Sequence, residues 1–133
     1  MRTSLLIAVA GAALAGCAVE PLSLEREVTY IVEWVGEEPV VGRNPISITF
    51  SDDRAYGNAG CNHWFAGYQL EGQQLHFDSI GSTRKACAEH LMRQERHFLE
   101  RLSQVERWDV SNIDQLRLWP VDGAAIRAWP EQN

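Results

Sequence analysis

Ala88-Glu89-His90-Leu91-Met92-Arg93-Gln94-Glu95-Arg96-His97-Phe98-Leu99-Glu100-Arg101-Leu102-Ser103 is the one stretch of this chain with a convincing helical period. Leu91, Phe98, Leu99, Leu102 and Val105 recur at spacings that place them on a single apolar stripe. On both sides of it the pattern is the two-residue alternation of strands. Glu27 to Trp34 reads as a strand with Val28, Tyr30, Val32 and Trp34 on one face. Gly36 to Pro45 is a loop rich in breakers, and Ile46, Ile48 and Phe50 alternate with Ser47 and Thr49 in a second strand. Ser51 to Arg54 is a polar turn. Ala55 to Trp64 reads as extended and bulged, because its glycines permit close backbone approach. Phe65 to Leu70 and the run from Leu75 flank a hairpin turn at Glu71-Gly72-Gln73-Gln74. Beyond the helix, Val105–Val110, Leu116–Trp119 and Ala125–Trp129 form three more strands. The expected fold is therefore α+β, a curved and mostly antiparallel sheet packed against one principal helix.

One acidic residue falls on the apolar stripe. Glu95 lies four residues after Leu91 and three before Phe98. A carboxylate there must be paired or sit at the stripe's edge, since burying it alone is very costly. Arg84 is the nearest upstream cation, and a structural ion pair between Arg84 and Glu95 is the favoured reading. A solvated flank beside Arg96 or Arg101 is the alternative.

The first residues read as an export signal. Met1-Arg2-Thr3 is a positive start, Ser4 to Ala13 is small and apolar, and Leu14-Ala15-Gly16 precedes Cys17. The apolar run is shorter than the roughly 20 residues a permanent span requires. Leu-Ala-Gly-Cys resembles the bacterial lipobox. That resemblance implies a signal peptide over residues 1–16, an acyl-bearing Cys17 as first mature residue, and a membrane reached through that anchor. Residues 17–26 would be a tether, and 27–130 the folded domain. By analogy with lipoprotein sorting, Ala18 resembles an outer-membrane signal, which would leave the domain facing the periplasm.

Charge narrows the partners. The chain carries 12 basic and 18 acidic residues, and losing Arg2 with the leader moves the net charge from −6 to −7. Lys85 is the sole lysine. Nucleic acid is a poor partner for such a chain, because phosphate binding needs dense basic patches. Electrostatic adhesion to anionic lipid is disfavoured for the same reason.

With Cys17 acylated, Cys61 and Cys87 remain. A pair in an oxidising compartment favours a disulfide. Cys61-Asn62-His63 and Cys87-Ala88-Glu89-His90 also form a zinc-like donor set, although the spacing departs from common zinc motifs and demands reduced thiols. A disulfide is the expectation, with no metal and no other cofactor. Free thiols are the remaining alternative.

Gly60-Cys61-Asn62, Gly67-Tyr68, Thr83-Arg84-Lys85-Ala86-Cys87, Glu95, Phe98-Leu99 and Leu102 follow one another in an order and spacing that resemble the META domain (HslJ-like) family. The resemblance runs from about Val28 to Trp129. It implies a compact domain with a curved antiparallel sheet on a helix, an envelope or stress-associated role, and no agreed catalytic activity.

The residues themselves give no catalytic constellation. Ser79 and Ser82 lie near His76 and His90 in sequence without forming a triad pattern. Gly57-Asn58-Ala59-Gly60 lacks the lysine and the strand-to-helix setting of a phosphate loop. Asp52-Asp53 sits in a turn and reads as solvated. Five tryptophans (Trp34, Trp64, Trp108, Trp119 and Trp129) are many for this length. Most read as core, but Trp64-Phe65 is a candidate partner surface, since adjacent strand residues face opposite sides and one of the two should be exposed. The expected function is that of a non-enzymatic, lipid-anchored envelope protein with an envelope protein as partner. The alternative is a small envelope inhibitor, for instance of lysozyme, steered by its acidic charge.

Overall fold

The computed structural model describes residues 4–13, 16 and 23–132. Cys17, and with it the lipidation site, lies outside the described residues, as do Leu14, Ala15 and most of the tether. Among the described residues no helix is long and apolar enough to cross a membrane. The strands are β1 (Thr29–Val35), β2 (Glu38–Pro39), β3 (Ile46–Phe50), β4 (Ala55–Asn58), β5 (His63–Glu71), β6 (Gln74–Ser82), β7 (Val105–Val110), β8 (Leu116–Pro120) and β9 (Ile126–Pro130). The helix α1 (Glu89–Ser103) joins β6 to β7.

Every strand pairing is antiparallel, and β1, β3 to β9 follow in order around a ring that closes where β9 returns to β1. Ile31 stands opposite Trp129 and Val32 opposite Ala128 at this closure. The expected open, curved sheet is thus corrected to an eight-stranded barrel, with β2 as a short flap on β1. Register shifts at Val32/Trp34, Phe65/Gly67 and Val105/Arg107 supply bends that let so few strands close.

The first of these bulges changes the reading of β1. Strict alternation put Trp34 with Tyr30 and Val32 on the inner face. The shift at Val32/Trp34 instead brings Val35 inside at 2% exposure and leaves Trp34 half-buried. The barrel interior mixes large and small residues, with Phe50, Trp64 and Trp108 beside Ala55, Ala66 and Ala128. Such mixing fills a narrow, tapered cylinder. Trp64 packs edge-on against both Phe77 and Phe98.

The helix closes one end of this cylinder, contacting β6, β1 and β8. Glu95, Phe98 and Leu102 are its buried residues, the central part of the predicted stripe. At the opposite end, Leu24 is buried in the core and the Glu27 N–H donates to the Phe50 carbonyl. The far part of the expected tether is therefore built into the domain. There Tyr30, buried and near Glu25, has its phenol pushed up to about 12 by burial first and by the Glu25 charge second.

Candidate functional site

The motif residues converge where the helix plugs the barrel. The turn between β4 and β5 holds Ala59, Gly60, Cys61 and Asn62. The Ala59 N–H donates to the Asn62 carbonyl at 2.7 Å, and the Gly60 N–H donates to Asn58 Oδ1 at 3.0 Å. Gly60 adopts φ +105°, a conformation side-chain-bearing residues rarely reach. This bend turns Asn62 inward, to 3% exposure.

Asn62 then ties its own turn to two further segments, the helix and the linker before it. Its backbone N–H and its Nδ2 donate to the two Glu95 carboxylate oxygens at 2.7 and 2.9 Å. Nδ2 also donates to the Lys85 carbonyl at 3.1 Å, while Oδ1 accepts from the Lys85 N–H at 2.6 Å and from the Thr83 hydroxyl at 3.1 Å. Thr83 Oγ1 in turn accepts from the His63 N–H. Cys61 and Cys87 form a disulfide beside this network. It joins the β4–β5 turn to the residues that lead into the helix. Closing that loop stabilises the fold by about 3.5 kcal/mol in the chain-entropy picture.

The partner expected for Glu95 is corrected by this geometry. Arg84 is exposed, and Glu95 makes no ion pair among the described residues. An amide and a backbone N–H satisfy the carboxylate instead, 33 positions away in sequence. Sequence proximity favoured Arg84, whereas the tight turn at Gly60 delivers Asn62 to the helix.

The chemistry of this cluster follows from its occupancy. Both sulfurs are in the bridge, so the Cys/His set considered from sequence has no thiolate to offer a metal. His63, His76 and His90 are exposed, and His97 lies against the Val35 carbonyl and Glu38. Among the described residues no group of three or more His, Cys, Asp or Glu side chains has metal-binding geometry. Asn62 and Glu95 face each other in the core, and the exposed Thr83 covers Asn62 from outside. The cluster works as a clamp between turn, linker and helix.

The adjacent pair Trp64-Phe65 splits as strand geometry requires. Trp64 is in the core at 1% exposure, with Nε1 donating to the Ser47 carbonyl at 2.9 Å. Phe65 is 41% exposed on the outer wall. Directly opposite it on β4 stands Tyr56, 40% exposed, and the row continues through Thr49 and Thr29. On its other side Phe65 lies over Gly81, where a Cβ would fall 2.6 Å from the ring. Tyr56 and Phe65 border a shallow groove of about 750 Å³, also lined by Ser47, Arg54, Asn58 and His63. A second hollow on the far side of Phe65 runs to Arg84 and Leu99. Tyr56 was missed from sequence because its segment looked irregular. Tyr56-Gly57 followed by the bulky Trp64-Phe65 is the signal that could have marked a paired aromatic row.

The opposite wall carries a self-contained ionic cluster. Asp109 accepts two hydrogen bonds from Arg117 and one from the Trp119 indole, and Arg107 and Arg117 stack over the Trp119 ring. Partial burial pushes the Asp109 carboxyl up. The hydrogen bonds from Arg117 and Trp119, with the charges of Arg117 and Arg107, outweigh it and hold the group below the usual range.

The META domain family model matches residues 23–133. No curated protein matches this sequence. Two solved structures share the fold. An NMR structure of a protein from Burkholderia xenovorans superposes with a TM-score of 0.66 at 22% identity, covering 81% of this chain and 84% of that one. A second NMR structure gives 0.61 at 23% identity, covering 77% and 89%.

Proposed function

Because this chain belongs to the META domain family, whose motif residues are here engaged with one another in a buried clamp, we propose that it is a non-catalytic, lipid-anchored binding module of the bacterial envelope. Its binding surface is the outer wall around Tyr56 and Phe65. The observation that carries the reading is the division of labour within one motif. Asn62, Glu95 and the Cys61–Cys87 bridge hold turn, linker and helix together, while the strand that leaves this turn presents Phe65 to solvent beside Tyr56. Two large aromatics side by side and about 40% exposed are enriched surface types for recognition.

Location rests on the leader. A lipobox ending at Cys17 would attach the domain to the membrane, and Ala18 favours the outer membrane by analogy. A stress-associated role is part of the same proposal. The test is capture from native envelopes with the full chain as bait, alongside a Tyr56→Ala, Phe65→Ala bait, and intact-mass measurement of the purified chain. Binding lost in the double variant and an acyl mass at Cys17 support the reading. Equal recovery by both baits, or an unmodified Cys17, removes the corresponding half. A second reading, inhibition of a basic lysozyme, is favoured by the net charge of −7 after loss of Arg2. Titration against lysozyme at low and high salt decides it, and an absence of inhibition at low salt eliminates it.

A further inference from the structure

We propose that the groove beside Tyr56 and Phe65 is a carbohydrate site for a saccharide bearing a carboxylate; this rests on the binding role given above and names its ligand class. Three features of the groove point the same way. Tyr56 and Phe65 stand opposite each other on β4 and β5, both about 40% exposed, and present neighbouring aromatic surfaces. The C–H face of a sugar ring is apolar and stacks on such surfaces, while the sugar rim stays hydrated or hydrogen-bonded. Phe65 is already seated over Gly81, so little side-chain freedom is lost on binding.

The border of the groove is polar in the way a polyol needs. Tyr56 brings a phenol, and the half-buried Thr29, whose hydroxyl is hydrogen-bonded to that of the buried Thr49 at 3.1 Å, retains further capacity on its own oxygen. Charge supplies the third feature. In a chain with 18 acidic residues no carboxylate among the described residues lines the groove, yet Arg54 and His63 do. Arg54 makes no ion pair among the described residues, and its neighbours Asp52 and Asp53 are directed to Arg26 and to the Ser51 hydroxyl. A guanidinium at the end of an aromatic platform recognises a carboxylate on the sugar through paired hydrogen bonds.

A peptide is the other ligand an aromatic groove admits, and the backbone argues against it. The barrel wall has no free edge here for strand addition. Between the Thr49–Tyr56 pair and the Ile46–Ala59 bridge, the Asn58 N–H donates to the Ser47 hydroxyl and the Ser47 carbonyl accepts from Trp64 Nε1. A bound peptide would find no main-chain partner, whereas a saccharide needs side chains alone. A groove of about 750 Å³ has room for a few sugar units.

Calorimetric titration of the full chain in detergent micelles tests this. The probes are the N-acetylglucosamine–N-acetylmuramic acid disaccharide, the same disaccharide with its carboxyl reduced to an alcohol, and tetraglutamate. The acidic disaccharide is expected to bind about tenfold more tightly than the reduced one, the value of one good charged pair. Arg54→Gln should abolish that difference and leave the reduced sugar unchanged. Phe65→Ala and Tyr56→Ala should each weaken both sugars about tenfold, with far-UV circular dichroism and cooperative melting retained. Equal affinity for the two sugars overturns the carboxylate assignment, and tighter binding of tetraglutamate overturns the saccharide assignment. If neither sugar binds while envelope capture still depends on Tyr56 and Phe65, the ligand class falls and the binding role stands. If capture is also independent of the pair, both fall.

Discussion

Asn62→Ala removes four side-chain hydrogen bonds in one step: two donated by Nδ2, to Glu95 and Lys85, and two accepted by Oδ1, from Thr83 and Lys85. Three are between neutral groups and are worth about 1 kcal/mol each in net terms, while the one to the carboxylate is worth about 2 kcal/mol. Asn62 and Glu95 are 3% and 4% exposed, so water replaces little of the bond between them, while the exposed Thr83 and Lys85 regain part of theirs from solvent. Partial relaxation and the surviving Asn62 N–H bond to Glu95 offset some of the sum, and a destabilisation of about 4 kcal/mol is expected, at the upper end of single substitutions. For a domain of roughly 110 residues that lowers the melting temperature by about 15 °C. Thermal unfolding of the full chain followed by far-UV circular dichroism, with the disulfide intact, measures it. Thr83→Val, which loses the bond to Asn62 and the one accepted from His63, should fall by about a third as much. A drop below about 4 °C for Asn62→Ala refutes the claim that this amide holds turn, linker and helix together.

The bridge contributes separately from that network. Cys61→Ala with Cys87→Ala should lose about 3.5 kcal/mol by chemical denaturation, and a loss below about 1 kcal/mol contradicts the loop-closure estimate. Tyr30 ionises late, near 12, whereas in the unfolded chain it ionises near 10, so its contribution is complete below pH 10 and lost as pH rises towards 12. Spectrophotometric titration near 295 nm should show one late phenol that Tyr30→Phe removes; a full tyrosinate signal by pH 11 in the folded chain counts against it. Gly81→Ala places a methyl group 2.6 Å from the Phe65 ring and must displace it, so envelope binding should fall while the melting temperature moves by less than about 8 °C. Gly57→Ala is different, because the new Cβ would meet the Ser47 carbonyl oxygen at 2.0 Å; it should fail to give soluble, cooperatively unfolding protein.

Local features of this chain are readable from sequence and long-range ones are not. The helix, the hairpin at Glu71–Gln74 and the inner faces of β3 and β8 follow from period alone, because burial repeats every 3.6 or 2 residues. Closure of the barrel depends on β1 meeting β9 across nearly the whole domain, and no local pattern encodes that pairing. The Val32/Trp34 bulge defeats alternation for a related reason, since one extra residue in a strand exchanges inner and outer faces beyond it. At the clamp, the helical period put Glu95 on the apolar stripe, where a carboxylate has to be paired or sit at the edge. Distance along the chain then nominated Arg84, and the turn at Gly60 brought Asn62. The pair Trp64-Phe65 shows what strand geometry alone can do: it requires one buried and one exposed residue, and only the position of Ser47 and Phe98 decides that Trp64 is the buried one.

The most direct test is retention on isolated envelope fractions of the folded Tyr56→Ala, Phe65→Ala chain, read against the unsubstituted chain prepared in the same way, with binding to lipid vesicles alone subtracted. The account predicts that the double substitution releases the protein's domain-mediated binding while the barrel still melts cooperatively. Undiminished binding by a cooperatively folded double variant would contradict it.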